Sequence, residues 1–472
     1  MAAATRRETD SLGTVEVPAD RYWGAQTARA LANYGAGRER FPAAFIHALG
    51  LVKVCAAEAL VAAGALDSRR GAWIGQAAGE VAGGDLDDHF PLCPWQSGSG
   101  TQTHMNANEV IAGRANELAG AGRGGREPVH PNDHVNRGQS TNDVFPTAMH
   151  VAILTEATVR LLPTLDTLAA ALERRAAAWS SLVKTGRTHL MDAVPLTLGQ
   201  EASGWAHQVT AARGRVAAAA APLHELALGG TAVGAFRPVP TGYADAAVAL
   251  LAGRTGLPLR RATNPFAAQG AHDAVVAFSG SLRDLAVGLA KIAGDVRLLA
   301  SGPRCGLGEL RLPAVEPGSS IMPGKTNPGQ AEALAMACAR VCGLDVAVAI
   351  GGLGGQLQMN AAKPLLAISV LEQVDLLATG AAGFVAGCID GLEPEPARLA
   401  AHLAASLMTV TALVPRLGYD DAAAAARRAL DTGAGLRDVV VGGGLLDAAE
   451  FDRLVDPRRL AEGSEPPDRM RP

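Results

Sequence analysis

The chain has 472 residues, 48% hydrophobic and 19% charged, which excludes a disordered chain and exceeds what one compact core of ordinary size holds. A net charge of -4 gives no reason to expect nucleic acid or an anionic membrane as partner, so any positive charge that serves an anion must be local. Aromatic residues are only 4% while alanine and leucine recur throughout, which predicts small side chains packed between close helices.

The first 13 residues carry Arg6, Arg7, Glu8 and Asp10 without an apolar stretch, so no secretory signal is read there. Residues 1–139 mix short helical stretches with loops, including a Gly/Arg-rich linker near 120–126. Residues 140–391 are dominated by long helices. Phe145, Met149 and Ile153 repeat at a spacing of four, as on a buried helix face, with Asn142 and Asp143 placed to cap its start and Pro163 to kink it. Segments 197–223, 270–300, 330–350 and 364–388 follow as further long helices between Gly/Pro breaks. Ala-rich helices of this length need partners, and a bundle pooled from several chains satisfies them. Residues 392–472 carry shorter helices around 422–430 and 446–454, then a polar tail from 463 that reads as disordered. No apolar run, 376–389 included, reaches the roughly 20 residues of a membrane span.

The six cysteines (Cys55, Cys93, Cys305, Cys338, Cys342 and Cys388) are scattered without a CxxC pair. They read as free thiols rather than disulfides or cluster ligands, and a cytoplasmic location follows. The Gly351–Gly355 stretch lacks the strand–helix context of a dinucleotide site, and no cofactor is expected.

Four segments carry chemistry. They are the Gly-spaced hydroxyls and amides of residues 98–106; His130, Asn132 and Asp133 with residues 139–143 after them; residues 186–192 around His189; and residues 318–328 around Ser319 and Lys325. Hydroxyls, amides and backbone N–H groups near helix starts are what a small carboxylate needs. Any one segment alone reads as a capped loop, but four in one helical chain point to an anion site. A metal pair of His130 and His134 is set aside because Pro131 interrupts the helix it would require.

The stretch Gly318-Ser319-Ser320-Ile321-Met322-Pro323-Gly324-Lys325-Thr326-Asn327-Pro328 resembles the GSSxMPxKxNP signature of the fumarase/aspartase superfamily. The similarity extends to Val17-Pro18-Ala19-Asp20, to Trp23 through Thr27, to Gly302 through Glu309, and to Ser406 through Asp420, so it covers about residues 10–460. Residues 95–102 and 145–150 and the pair Lys363-Pro364 are similar to the class II fumarase branch, whereas residues 355–358 and 140–142 have an aspartase flavour.

The resemblance implies a mainly α subunit of three regions, 1–139, 140–391 and 392–472, with a central long-helix bundle and a tetrameric helical core. It implies reversible hydration of fumarate to malate in sites assembled from three chains of a homotetramer. It assigns the base to Ser319, the handling of water to His189, and the orientation of that histidine to Glu332. Substrate carboxylates would be held by Ser99, Thr101, Ser140, Thr141, Asn142, Thr188, Lys325 and Asn327. His130, Asn132 and Asp133 resemble a second, non-catalytic dicarboxylate site. The rival enzyme is an aspartase-like lyase that releases fumarate from a substituted succinate. A retired scaffold is the rival of another class, and the joint presence of Ser319, Lys325, Asn327, His189 and Glu332 argues against it. The chain departs from the fumarase pattern at His104, where asparagine is usual, and at Ala235-Phe236-Arg237-Pro238, where Thr-Gly-Leu-Asn is expected. Arg237 either faces inward and alters acid preference or faces solvent.

Overall fold

The computed structural model describes residues 4–235 and 238–463, and it is mainly helical. Phe236, Arg237 and residues 464–472 lie outside the described residues, and with them the expectations on Arg237 and on the polar tail. Among the described residues the strands form only two-stranded pairs.

The chain folds as two compact units, each made of three segments. One comprises Met1–Pro163, Ala212–Val287 and Ala337–Thr379; the other comprises Thr164–Ala211, Gly288–Met336 and Gly380–Pro472. Regions 1–139, 140–391 and 392–472 divide the chain linearly, whereas these units interleave it. The expected long helices form as Leu198–Ala220, Asp273–Leu299, Gly329–Gly352 and Lys363–Gly387, and each gives residues to both units.

In the first unit the hairpin Thr5–Asp10/Gly13–Pro18 runs antiparallel, with Thr5 opposite Pro18. The helices Ala43–Ala62 and Thr101–Leu118, of 20 and 18 residues, correct the expectation of short stretches. Ala43–Ala62 packs against Ser68–Ala82, Thr141–Glu156 and Tyr243–Thr255. Covered on most sides, it is apolar all round and so lacks the 3.6-residue contrast that marks a helix in sequence. Phe45 and Phe145 meet with ring centroids 4.6 Å apart and join this helix to the Thr141 helix. The expected kink takes the form of a π-helical turn, Ala157–Leu161, just ahead of Pro163. A proline ring clashes with the carbonyl four residues back, and the wider turn relieves that clash.

In the second unit the hairpin Val183–Thr188/Met191–Thr197 packs against the helices Pro396–Ala405 and Pro457–Ala461. Short C-terminal helices, including Tyr419–Thr432 and Ala448–Leu454, enclose a separate core around Leu413, Ala425, Val440 and Phe451.

By length and composition, Ala43–Ala62, Gly329–Gly352 and Lys363–Gly391 are each long and apolar enough to cross a membrane, with mean hydropathies of 1.8, 1.9 and 1.5. This corrects the expectation that no such run exists: glycine and alanine, read there as interruptions, leave the mean high. In Gly329–Gly352 only 33% of that apolar stretch is buried.

Candidate active site

In the first unit, two helix starts bring hydroxyls and amides together. The turn before Thr101–Leu118 is held by Ser97 Oγ on Gln102 Oε1 at 2.7 Å, and Ser99 Oγ lies 2.8 Å from Thr101 Oγ1. Two glycines are required by close approach. A Cβ on Gly98 would stand 1.6 Å from the Ala361 carbonyl oxygen, and one on Gly100, at φ +81°, 2.2 Å from the Phe145 ring.

The second start is Thr141–Glu156. Its cap is Ser140, which corrects the expectation for Asn142: Ser140 Oγ accepts from Asn142 N at 3.2 Å, while the Asp143 carboxylate accepts from Ser140 N at 2.9 Å. Asn142 instead donates its amide to Ala232 O at 2.8 Å. Asp143 is fully buried and also accepts from Gly229 N and Thr231 N, at 3.0 and 2.9 Å. Burial pushes its pKa up to about 6, against the opposing pull of these N–H groups and of Lys53.

Thr141 Oγ1 lies 2.8 Å from His104 Nδ1, and His104 Nε2 lies 2.7 Å from Lys53 Nζ. Burial, with Lys53 adding to it, holds the His104 imidazole well below its ordinary pKa and so neutral. His130, Asn132 and Asp133 share the π-helical turn Pro131–Val135 and its cap. His130 Nδ1 accepts from Asn132 N and Asp133 N at 3.1 and 3.2 Å, which fixes that nitrogen as an acceptor.

In the second unit, Thr188 and His189 stand at a hairpin tip. With Thr188 opposite Met191, the two-residue turn is His189-Leu190, at φ +55° and +63°. Such a turn favours Asn-Gly, and its use with His-Leu places strain where the candidate side chain sits. The stem is anchored by Glu309, fully buried, whose carboxylate lies 2.6 Å from Arg187 Nη2, 3.0 Å from Lys184 Nζ and 2.9 Å from His402 Nδ1. Burial alone would raise the Glu309 pKa, but these donors outweigh it and bring it to about 2.

Ser319, Lys325 and Asn327 share one exposed loop. Ser319 Oγ accepts from Met322 N at 2.9 Å and from Ile321 N at 3.3 Å, and the Asn327 amide donates to Gly318 O. A Cβ on Gly318 would stand 2.1 Å from Lys325 O, so this closed shape demands glycine. The loop backs onto a cavity of about 20 Å³, room for one water molecule. Glu332, in the first turn of Gly329–Gly352, accepts from Arg297 Nη2 at 3.2 Å. Among the described residues of one chain, no hydrogen bond joins Glu332 to His189.

Sequence reasoning missed Lys53 and the Glu309 group. The one signal for Lys53 was a lone cation in the apolar run 43–62.

A family profile described as Lyase matches residues 13–343, and one described as Fumarase C C-terminus matches residues 410–462. The chain is 55% identical over 455 residues to a class II fumarate hydratase of Thermosynechococcus vestitus, covering 96% of this chain and 97% of the relative. It is 52% identical over 458 residues to fumarate hydratase class II 1 of Pseudomonas aeruginosa, covering 97% and 99%. A crystal structure of class II fumarase from Schistosoma mansoni superposes with a TM-score of 0.94 at 39% identity, over 97% of this chain and 99% of that one.

Proposed function

The chain belongs to the class II fumarate hydratases of the lyase family, and on that footing we propose how its two sets of residues carry out the reaction. The activity is the reversible addition of water to fumarate, giving malate, a step of the tricarboxylic acid cycle. The names of the relatives support water as the added group, and the aspartase-like alternative is set aside.

The observation that carries the mechanism is the pair of N–H groups, from Ile321 and Met322, directed at Ser319 Oγ. A serine hydroxyl is too weakly acidic to serve as a base unless its conjugate oxygen is stabilised, and two backbone donors do that. Ser319 Oγ takes the proton from the malate carbon beside one carboxylate. Lys325 and Asn327, on the same loop, hold that carboxylate as it gains a second negative charge. His189, beside Thr188, gives a proton to the hydroxide leaving the neighbouring carbon, so one proton and one hydroxide leave as fumarate forms. Glu332 orients His189 and fixes its tautomer. Ser99, Thr101, Ser140, Thr141 and Asn142 supply neutral donors to the substrate. His130, Asn132 and Asp133 form a second dicarboxylate site.

The site is assembled in a homotetramer. In support, Met336, Val346, Ile350 and Leu353 stand exposed on or just beyond Gly329–Gly352, as do Leu190 and Met191 at the His189 tip. Apolar side chains arrayed on a long helix mark a face that another chain covers. A cytoplasmic location is supported by six unbridged cysteines, four of them buried.

Purified protein with a metal chelator present interconverts fumarate and malate, followed by the absorbance of the double bond. Ammonia release from aspartate without malate turnover would overturn the assignment.

A further inference from the structure

We propose that Lys53 and His104 form a buried relay that fixes the Thr141 hydroxyl as a hydrogen-bond donor toward a substrate carboxylate. The proposal rests on the reading of Thr141 as a substrate contact.

Lys53 lies on the apolar helix Ala43–Ala62 and is 1% exposed. An ammonium group has three N–H donors and no acceptor. Three polar atoms surround Nζ: His104 Nε2 at 2.7 Å, Gln139 Oε1 at 2.8 Å and Asn136 Oδ1 at 3.3 Å. Both amides are oriented by other partners. Gln139 Nε2 donates to Val135 O and Arg137 O, at 3.0 and 3.2 Å, and Asn136 Nδ2 donates to Gln139 O at 3.3 Å. Their oxygens therefore face Lys53 and take two of its N–H groups, which leaves the third direction for His104 Nε2.

That third direction decides the polarity of the chain. When Lys53 is an ammonium, Nε2 of the neutral imidazole accepts and its proton sits on Nδ1. Nδ1–H then donates to Thr141 Oγ1, at 2.8 Å, and the Thr141 O–H is free to donate away from His104. When Lys53 is a neutral amine the order reverses. Its lone pair takes Nε2–H, Nδ1 accepts the Thr141 proton, and the donor is lost. Burial pushes the Lys53 pKa well below its ordinary value, and the nearby Asp143 carboxylate pulls it back toward the ammonium form. A dianionic substrate favours the same form, so a cation sealed from the ligand acts on it through two hydrogen bonds. His104 and Lys53 are positioning residues, and Thr141 makes the contact.

The test is the affinity for succinate, an unreactive dicarboxylate, measured by titration calorimetry on the full-length enzyme. His104→Leu, Thr141→Val and the double variant form a cycle. Each single change is expected to weaken succinate binding by roughly ten- to a hundredfold, as for a lost hydrogen bond to a charged group. The double variant should bind no more weakly than the weaker single, because both remove the same donor. Thr141→Ser, which keeps the hydroxyl, should retain the His104 dependence. If His104→Leu fails to fold, Lys53→Met takes its place in the same cycle. Losses that multiply, or a folded His104→Leu enzyme within about twofold of the unaltered affinity, overturn the relay. Those outcomes in a protein that still hydrates fumarate count against the relay alone, whereas an unaltered protein that does not hydrate fumarate counts against the functional reading.

Discussion

Oxygen basicity at Ser319 is set by what donates to it. With Met322 N and Ile321 N both directed at Oγ, negative charge left there by proton loss is met by donors already in place. Ser319→Ala removes the proposed base without touching a buried contact, since the loop is exposed. Its turnover should fall by roughly 10²–10⁴, the range for lost acid–base catalysis, while the melting temperature holds. A folded Ser319→Ala protein with near-normal turnover in a coupled malate assay would take Ser319 out of its role. At this scale the sequence was informative where composition was odd. A run as unusual as residues 318–328 declares itself, and so does the histidine at 104. Lys53 did not, because one lysine in a helical run reads as a solvated side chain. Its importance lies in the convergence of His104, Asn136 and Gln139 from distant segments. Nor did the left-handed turn at His189-Leu190, because neither residue type favours that conformation.

The hairpin that presents His189 is an element held by charge rather than by apolar area. Lys184, Arg187 and His402 surround a fully buried Glu309, and Leu190 and Met191 at the tip are exposed. The left-handed turn costs roughly 1–3 kcal/mol per residue, so the stem must be well anchored to keep the tip in that geometry. The Glu309 carboxyl lies near 2, below its ordinary 4.5, so its contribution is fully present above about 4.5 and is lost as pH falls toward 2. Glu309→Gln should therefore destabilise the protein at pH 7 by roughly 3–5 kcal/mol, the range for removing one partner of a buried ion pair, with the difference from the unaltered chain closing as the pH approaches 2. Denaturant unfolding at pH 7 and pH 3 measures it, and an equal loss at both would contradict this account. Helices bounded by Gly/Pro breaks were legible from sequence, as at Leu198–Ala220 and Lys363–Gly387. Ala43–Ala62 was not, because a helix buried on nearly every side carries no polar face to give its period away.

For the whole molecule, the sequence pattern of long Ala-rich helices already called for partners, and the apolar side chains left exposed on Gly329–Gly352 repeat that demand. Within one chain Glu332 is paired to Arg297, the Ser319 loop backs onto a cavity of about 20 Å³, and the His189 tip is exposed. What one sequence could not supply was the compact units themselves, since each is built from three segments far apart along the chain. The central claim is that fumarate hydration takes place in sites to which different chains bring Ser319 and His189. Its most direct measurement is the hydration rate of co-assembled tetramers made from two inactive proteins, Ser319→Ala and His189→Asn. If the two residues come from different chains, equal mixing gives about one intact site in four, and fumarate hydration returns to about a quarter of the unaltered rate. If mixed tetramers are demonstrated and hydration stays at the level of the parent variants, the shared site is contradicted.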